Sequence, residues 1–261
     1  MIETNDFPFR LGTTSYIIPA DILSNVRYLA GKVRDVELVL FDVDDAMNNL
    51  PSGEEIDELR RIGSDNDLTY TVHLPLDLRL ADDDSIDKAC RVIDCTLRLD
   101  PWAYVLHLDG KSVRHGASSE VIHHWREQAV RSLEIVGECA GGVEKLAVEN
   151  LEGYPLDFYE PVLKQIAVSR TVDVGHLWLD GFDPVAYLHD ALPRTRVIHI
   201  HGIDGRDHRS LAHVSQEKLH AVLYELVRTG YRGVLTVEVF SEEDFLTSCA
   251  AIRTVTKGEQ K

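Results

Sequence analysis

Apolar and polar positions along this chain follow two periods, short runs with a two-residue repeat and longer stretches with a helical one. The short runs are RLGTTSYII (10–18), DVELVLFD (35–42), TYTVHLPLD (69–77) and AYVLHLDG (103–110), then KLAVEN (145–150), RTVDVGHLWLDG (170–181), TRVIHIHGID (195–204) and GVLTVEVF (233–240). Each predicts a strand. Helical patterns stand between them. One begins near Asp21. SGEEIDELRRIG (52–63) opens with a Ser followed three residues later by Glu, a capping box. A third begins at Asp82–Asp84, where acidic groups suit the helix dipole, and repeats Ile86, Cys90, Ile93 and Leu97. A fourth carries Ile122, Trp125, Ala129, Leu133 and Val136 on one face and is stopped by CAGG. The helices PLDFYEPVLKQI (155–166), Gln216–Arg228 and SEEDFLTSCAAIRTV (241–255) complete the series. Eight β–α units in this order predict an α/β protein, a closed (β/α)8 TIM barrel, rather than a doubly wound sheet. No linker or low-complexity tract interrupts them, so residues 1–261 read as a single domain with a frayed tail at 256–261.

The strand ends carry the chemistry. Six runs close on a residue able to bind a metal: His73, His107, Glu149, Asp173, His201 and Glu238. In a parallel barrel these ends lie on one rim, where such barrels carry out their reactions. Strand parity adds direction. Ala147 shares a face with Glu149, Thr171 with Asp173, Val197 and His199 with His201, and Thr236 with Glu238, while the opposite face is apolar and suits the helices. The candidates therefore point into the barrel. A carboxylate there is costly unless paired or bound to a cation. Few cations accompany them, Lys145 and Arg196 among the strand residues, so a divalent ion is the expected counter-charge. His199 reads as a satisfied interior histidine one layer below His201.

The loops add more donors. His176 follows Asp173 by three residues, and Asp204, Asp207 and His208 follow the seventh strand. This oxygen–nitrogen set suits Zn²⁺ or Mn²⁺. Asn150, Asp109 and Asp204 are candidates to support the ligands, and Asn150 and Asp109 are also expected to contact the substrate. Ser15 and Tyr16 after strand one, with the polar loop 42–52, are expected at the substrate mouth, and Trp178 and Phe182 can stack on a planar substrate or cover the core. His115, His123, His124, His189 and His220 read as surface residues.

Composition narrows the partners. The chain of 261 residues has a formal charge of −17 and a hydrophobic share of 44%, an acidic globular protein with no basic stripe for nucleic acid. No apolar run is long enough to span a membrane and no signal peptide is visible. The four cysteines, Cys90, Cys95, Cys139 and Cys249, form no C-x-x-C and fall in helical patterns, which predicts no disulfide and a reducing, cytoplasmic location. Oligomeric state is not legible.

The ligand order resembles the xylose-isomerase-like superfamily of TIM barrels, which includes sugar epimerases and AP endonuclease family 2. The resemblance runs through the whole chain. The epimerase branch implies four ligands, Glu149, Asp173, His201 and Glu238. The AP endonuclease branch implies further ones, His73, His107, His176, Asp207 and His208, and up to three zinc ions. The seventh-loop pair Asp207–His208 is adjacent here rather than separated by one residue. NVRYLAGKVRDVELVLFDVDD, YTVHLPLDLRL, AVENLEGYPLDFYEPVL, VGHLWLDGFDP, RDHRSLAH and LTVEVFSEEDF are similar to the cobamide-remodelling phosphodiesterases of the CbiR type. That resemblance implies hydrolysis of the phosphoester joining a corrinoid to its lower nucleotide, with Glu149, Glu238 and His176 in catalytic roles and one to three divalent ions. The alternatives are a sugar isomerase or epimerase, an AP-endonuclease-like repair enzyme and a non-catalytic corrinoid- or metal-binding protein.

Overall fold

The computed structural model describes residues 7–44, 47–75, 79–80 and 82–257. Asp45 and Ala46 in the loop 42–52, and Leu76 and Asp77 at the end of the third run, lie outside the described residues. Of the tail expected to fray, 258–261 lie outside them, whereas Thr256 and Lys257 belong to the last helix.

Eight parallel strands close the barrel. They are β1 (Arg10–Thr14), β2 (Asp35–Val39), β5 (Thr69–His73), β6 (Tyr104–Leu106), β7 (Leu146–Glu149), β8 (Ser169–Asp173), β9 (Thr195–Ile200) and β10 (Val234–Val237). Their order around the barrel is β1, β10, β9, β8, β7, β6, β5, β2, so consecutive barrel strands are neighbours and the last pairs with the first. Between β2 and the next helix, β3 (Asp42–Asp44) and β4 (Met47–Asn48) form a small antiparallel ribbon where the sequence predicts only a polar loop.

Six major helices follow the predicted pattern: α1 (Ile22–Leu29), α2 (Gly53–Asn66), α3 (Asp83–Thr96), α4 (Ser119–Ala140), α8 (Gln216–Arg228) and α9 (Glu242–Lys257). A further helix, α7 (Pro184–Ala191), stands after β8 where the sequence pattern names none. Two shorter ones are α5 (Glu160–Leu163), much reduced from the expected 155–166, and α6 (Val174–Leu179). The α2 capping box forms as expected: the Glu55 N–H donates to Ser52 Oγ at 3.3 Å and the Ser52 N–H to Glu55 Oε2 at 2.8 Å. Gly141 ends α4 at φ 79°, a left-handed conformation that glycine adopts without steric cost.

Leu11, Val36, Leu38, Val72, Val148, Ile198 and Leu235 lie buried in the layer between strands and helices. Inside the barrel a separate small cluster, Ala103, Val105, Ala147 and Val197, forms an apolar floor. Above that floor the interior turns polar, with Glu37, Thr71, His73, Thr171, His199 and Thr236 all fully or almost fully buried.

Two expectations are corrected. Leu97 does not face the core; α3 ends one residue earlier and Leu97 is exposed in the turn that follows. The cysteines are not all free: Cys90 of α3 and Cys139 of α4 form a disulfide, with Cα atoms 5.6 Å apart. The two helices pack side by side around the barrel, an adjacency that brings together residues 49 apart in sequence. The absence of C-x-x-C could not reveal this pairing, and it removes the basis for reading the compartment from cysteine usage. No helix among the described residues is long and apolar enough to cross a membrane.

Candidate metal centre

The strand-end residues converge. Glu149 closes β7 inside the barrel, almost wholly buried, and its two oxygens face different partners. Oε2 lies 3.0 Å from His107 Nε2 and 3.4 Å from His73 Nε2. Oε1 lies 3.2 Å from His199 Nδ1 and 3.9 Å from His176 Nδ1. Glu238, just beyond β10, places Oε2 3.2 Å from His199 Nδ1 and 3.3 Å from His208 Nε2.

Asp173 has two structural duties. It ends β8 and caps α6, accepting the His176 N–H at 2.7 Å on Oδ1. The strand therefore turns straight into a helix, which brings His176 back over the rim. Its Nδ1 lies 3.3 Å from Asp173 Oδ2, and His201 Nε2 lies 3.3 Å from Oδ1. His201 and His208 stack with ring centroids 4.4 Å apart, and the His208 N–H donates to His201 Nδ1 at 3.1 Å. His208 reaches this position with φ at 51°, a strained conformation for a residue with a side chain.

Among the described residues, three groups of side chains have donor atoms close enough together to hold an ion. They are His73, His107 and Glu149; Glu149, Asp173, His199 and Glu238; and Asp173, His176, His201 and His208. Glu149 and Asp173 each belong to two groups. The fit of these residues to divalent ions rests on the donor set and on unmet polar atoms. Asp173 Oδ2, Glu238 Oε2 and His201 Nε2 are buried without a well-formed hydrogen bond among the described residues. Such atoms are costly in an interior, and a cation satisfies all three kinds. Backbone contacts aim the rings: His73 Nδ1 lies 2.8 Å from the Leu74 carbonyl, which leaves Nε2 toward Glu149.

The electrostatics show how concentrated the negative charge is. Burial opposes ionisation of Glu149, yet the His199 and His107 rings hold its carboxyl well below the ordinary range. The same contest at Glu238 is won by His199 and His208. Burial disfavours charge on the histidines, but Asp173 and Glu149 push His176 up to about 9. Glu238, ahead of Asp173, pushes His208 up to about 10. His73, His199 and His201 also move upward against burial, drawn by their carboxylate neighbours. A potential that draws protons onto imidazoles also favours a metal cation, which competes with those protons for the same nitrogens.

The remaining candidates are placed as follows. His199 is an interior histidine one layer below His201, as the parity suggests, and its Nδ1 also reaches the carboxylates. Asn150 stands beside the cluster, but its amide is committed to the Asp173 backbone: Oδ1 accepts the N–H at 2.9 Å and Nδ2 donates to the carbonyl at 3.0 Å. Ser15 is buried and accepts the Val39 N–H at 3.1 Å, tying β1 to β2. Tyr16 OH accepts from Asn49 Nδ2 at 2.8 Å in the loop after β4. Asp109 accepts from the Lys111 N–H at 2.9 Å and faces Arg79 at 3.7 Å. Asp207, expected as a ligand, lies 3.3 Å from His208 Nδ1, behind the ring rather than within any of the three groups. Asp204 sits 3.8 Å from His213, also outside them. Trp178 and Phe182 line a groove against Lys218 and Ala221 of α8. His115, His123, His124, His189 and His220 lie outside the three groups.

Sequence reasoning missed Asp35 and Glu37 of β2. Both are fully buried, and Glu37 Oε2 lies 2.9 Å from His199 Nε2. The run D-V-E-L-V-L held the signal, since its acidic residues alternate with Val36 and Leu38 and so share the barrel-facing side.

A family model described as the xylose isomerase-like TIM barrel matches residues 32–255. No curated protein sequence matches the chain. Among solved structures, a D-tagatose 3-epimerase-like protein superposes with a TM-score of 0.78 at 18% identity, covering 95% of this chain and 97% of its own. A 3-keto-D-glucoside 4-epimerase from E. coli gives 0.71 at 15%, covering 95% and 99%. Endonuclease IV from Thermus thermophilus gives 0.69 at 16% identity, also covering 95% and 99%. At these identities the likeness is one of fold.

Proposed function

Because the chain belongs to the xylose isomerase-like TIM-barrel family, we propose that it is a metal-dependent phosphodiesterase that hydrolyses the nucleotide-loop phosphoester of cobamides. One observation supports the hydrolase reading: Glu149 and Asp173 are each shared between neighbouring groups of ligand-type side chains, which together offer donors enough for more than one ion. His73, His107 and Glu149 would hold one ion, Glu149, Asp173, His199 and Glu238 a second, and Asp173, His176, His201 and His208 a third. Zn²⁺ and Mn²⁺ both suit these donors. Bound there, divalent ions would supply Lewis-acid polarisation and make a bound water more acidic.

The chain's own residues then orient and supply protons. Asp173 and the start of α6 fix His176 at the rim, and Glu238 fixes His208. A ring of this pair that does not hold an ion can instead donate to a phosphoryl oxygen and so restrain the phosphorus for in-line attack by water. Water forms the new phosphorus–oxygen bond and gives a proton to a rim carboxylate such as Glu149, the phosphorus–oxygen ester bond breaks, and the departing oxygen takes up one proton, so that no net proton is gained or lost. His107 keeps about one-fifth of its side-chain surface exposed, the most of the four rings that face Glu149. The ring of Phe240 packs edge-on against His208 at 5.4 Å and offers an apolar edge for a large planar substrate.

The net charge of −17 supports a small-molecule substrate over duplex DNA, since approach of the duplex is repelled over long range at low salt. A second reading, sugar epimerisation, is favoured by the four residues Glu149, Asp173, His201 and Glu238. It leaves His73, His107, His176 and His208 without a role.

The test is to incubate metal-loaded protein anaerobically with a reduced cobamide and resolve the products by chromatography and mass. The expected product is a corrinoid lacking its lower nucleoside or nucleotide, formed only without chelator. A cobamide left intact with every divalent ion tried, while the same sample epimerises a ketose or cuts an abasic-site duplex, would overturn the proposal.

A further inference from the structure

Below the rim, the barrel interior holds a carboxylate that the hydrolase reading leaves without a role. Glu37 projects from β2 with no exposed surface, and its register partners on the adjacent strands are Thr14 and Thr71. Its Oε2 lies 2.9 Å from His199 Nε2, and Oε1 has no hydrogen-bond partner among the described residues. The other nitrogen of the same ring, Nδ1, lies 3.2 Å from both Glu149 Oε1 and Glu238 Oε2. One imidazole thus stands between a deep carboxylate and two carboxylates of the candidate centre.

We propose that Glu37 is a positioning residue for the metal centre: it holds His199 by Nε2 so that Nδ1 faces Glu149 and Glu238 together and sets the direction of both carboxylates. The inference rests on the metal-centre reading and deepens it. An imidazole can swing about its Cα–Cβ and Cβ–Cγ bonds, and the charges at the rim alone do not choose its tilt. The Glu37 contact does, because it fixes the end of the ring remote from the rim. His73 closes the other side, its ring stacked at 6.0 Å and 26° to that of His199. With the ring clamped, Glu149 Oε1 and Glu238 Oε2 have a fixed neighbour, and Glu149 Oε2 is left turned to His73 and His107. A purely structural role explains the position poorly. A buried carboxylate is costly unless it is well paired, and an apolar residue would fill the same space without that cost.

The test measures Co²⁺ affinity by chelator competition and the visible absorption of bound Co²⁺, which reports ligand arrangement independently of turnover. Partners that orient metal ligands typically alter affinity by roughly 10–100-fold. Glu37→Leu, which removes the acceptor, is expected to weaken Co²⁺ binding by about that factor and to change the spectrum. Glu37→Gln keeps a carbonyl oxygen for Nε2–H and is expected to restore the parental spectrum and most of the affinity. A Glu37→Leu protein that folds, with parental spectrum and affinity, overturns the positioning role and leaves the centre standing. A parent chain that binds no Co²⁺ overturns the centre, and the role with it. If Glu37→Leu does not fold, a cycle of Glu37→Ala, which also removes the acceptor, and His199→Asn gives the answer. Affinity losses that are less than additive support one path from Glu37 through His199; fully additive losses overturn it.

Discussion

Gly175 lies where any side chain would strike His201: a Cβ on Gly175 would stand 2.2 Å from both Cε1 and Nε2 of the imidazole. The contact follows from the turn after β8. Asp173 ends the strand and caps α6 at once, so the first turn of that helix crosses the rim directly over the end of β9. Only a residue without a side chain leaves room for the ring.

Gly175→Ala is therefore expected to displace His201 rather than unfold the protein. Alanine favours a helix over glycine by about 1 kcal/mol, so α6 itself gains. The collision falls on a ring that can rotate, and rotation takes Nε2 away from Asp173 Oδ1, now 3.3 Å distant. Metal content should fall and turnover should drop by at least about tenfold, in line with the effect of misaligning one ligand. Elemental analysis and a melting curve on the same sample decide it. Parental metal content with full turnover would show that His201 needs neither its place nor its tilt.

Much of this site was legible as strand endings. His73, His107, Glu149, Asp173, His201 and Glu238 each close an apolar run, and parallel strands must bring such ends to one rim. Parity then placed Ala147 and Val197 inside with them, and both line the interior floor. Glu37 and Asp35 escaped because a reading of strand endings does not look at residues earlier in the run. The α6 helix escaped because V-G-H-L-W-L is short and apolar, as consistent with a strand as with one helical turn. Its start is set by the Asp173 cap, a contact that appears only when the chain turns. The Cys90–Cys139 pairing depends on which helices lie side by side, and helical periodicity within each gives no information on that.

The sharing of Glu149 between two groups implies graded losses. Glu149→Ala removes the carboxylate common to both and is expected to lower metal content most and abolish hydrolysis. His107→Ala removes a ligand from one group only. Metal per chain should then fall to a lower but nonzero value, and the hydrolytic rate by on the order of 10²-fold. Elemental analysis of the three proteins, loaded under one protocol, provides the counts. If His107→Ala keeps both the parental metal count and the parental rate, the arrangement for several ions is wrong and a single-ion site takes precedence.

Asp35 gives a pH dependence that belongs to the fold and lies away from the rim. It is fully buried on β2, and burial raises its pKa from 3.8 to about 7, partly offset by the Thr69 hydroxyl, which donates to Oδ2 at 2.6 Å. The folded chain thus holds a proton that the unfolded chain releases. Where the native state binds more protons, stability falls as pH rises. The contribution is fully present below about pH 4, declines through the interval up to about 7 and is lost above it. Asp35→Asn keeps an acceptor for Thr69 and cannot ionise. Its stability relative to the parent should be greater at pH 8 than at pH 5 by roughly 2–3 kcal/mol, the share of the shift that falls in this window. Urea unfolding of both proteins at the two pH values, in the presence of chelator to keep metal out of the comparison, measures the difference. An equal effect at pH 5 and pH 8 would mean that Asp35 is already ionised in the folded protein at pH 5, with its charge met inside the barrel.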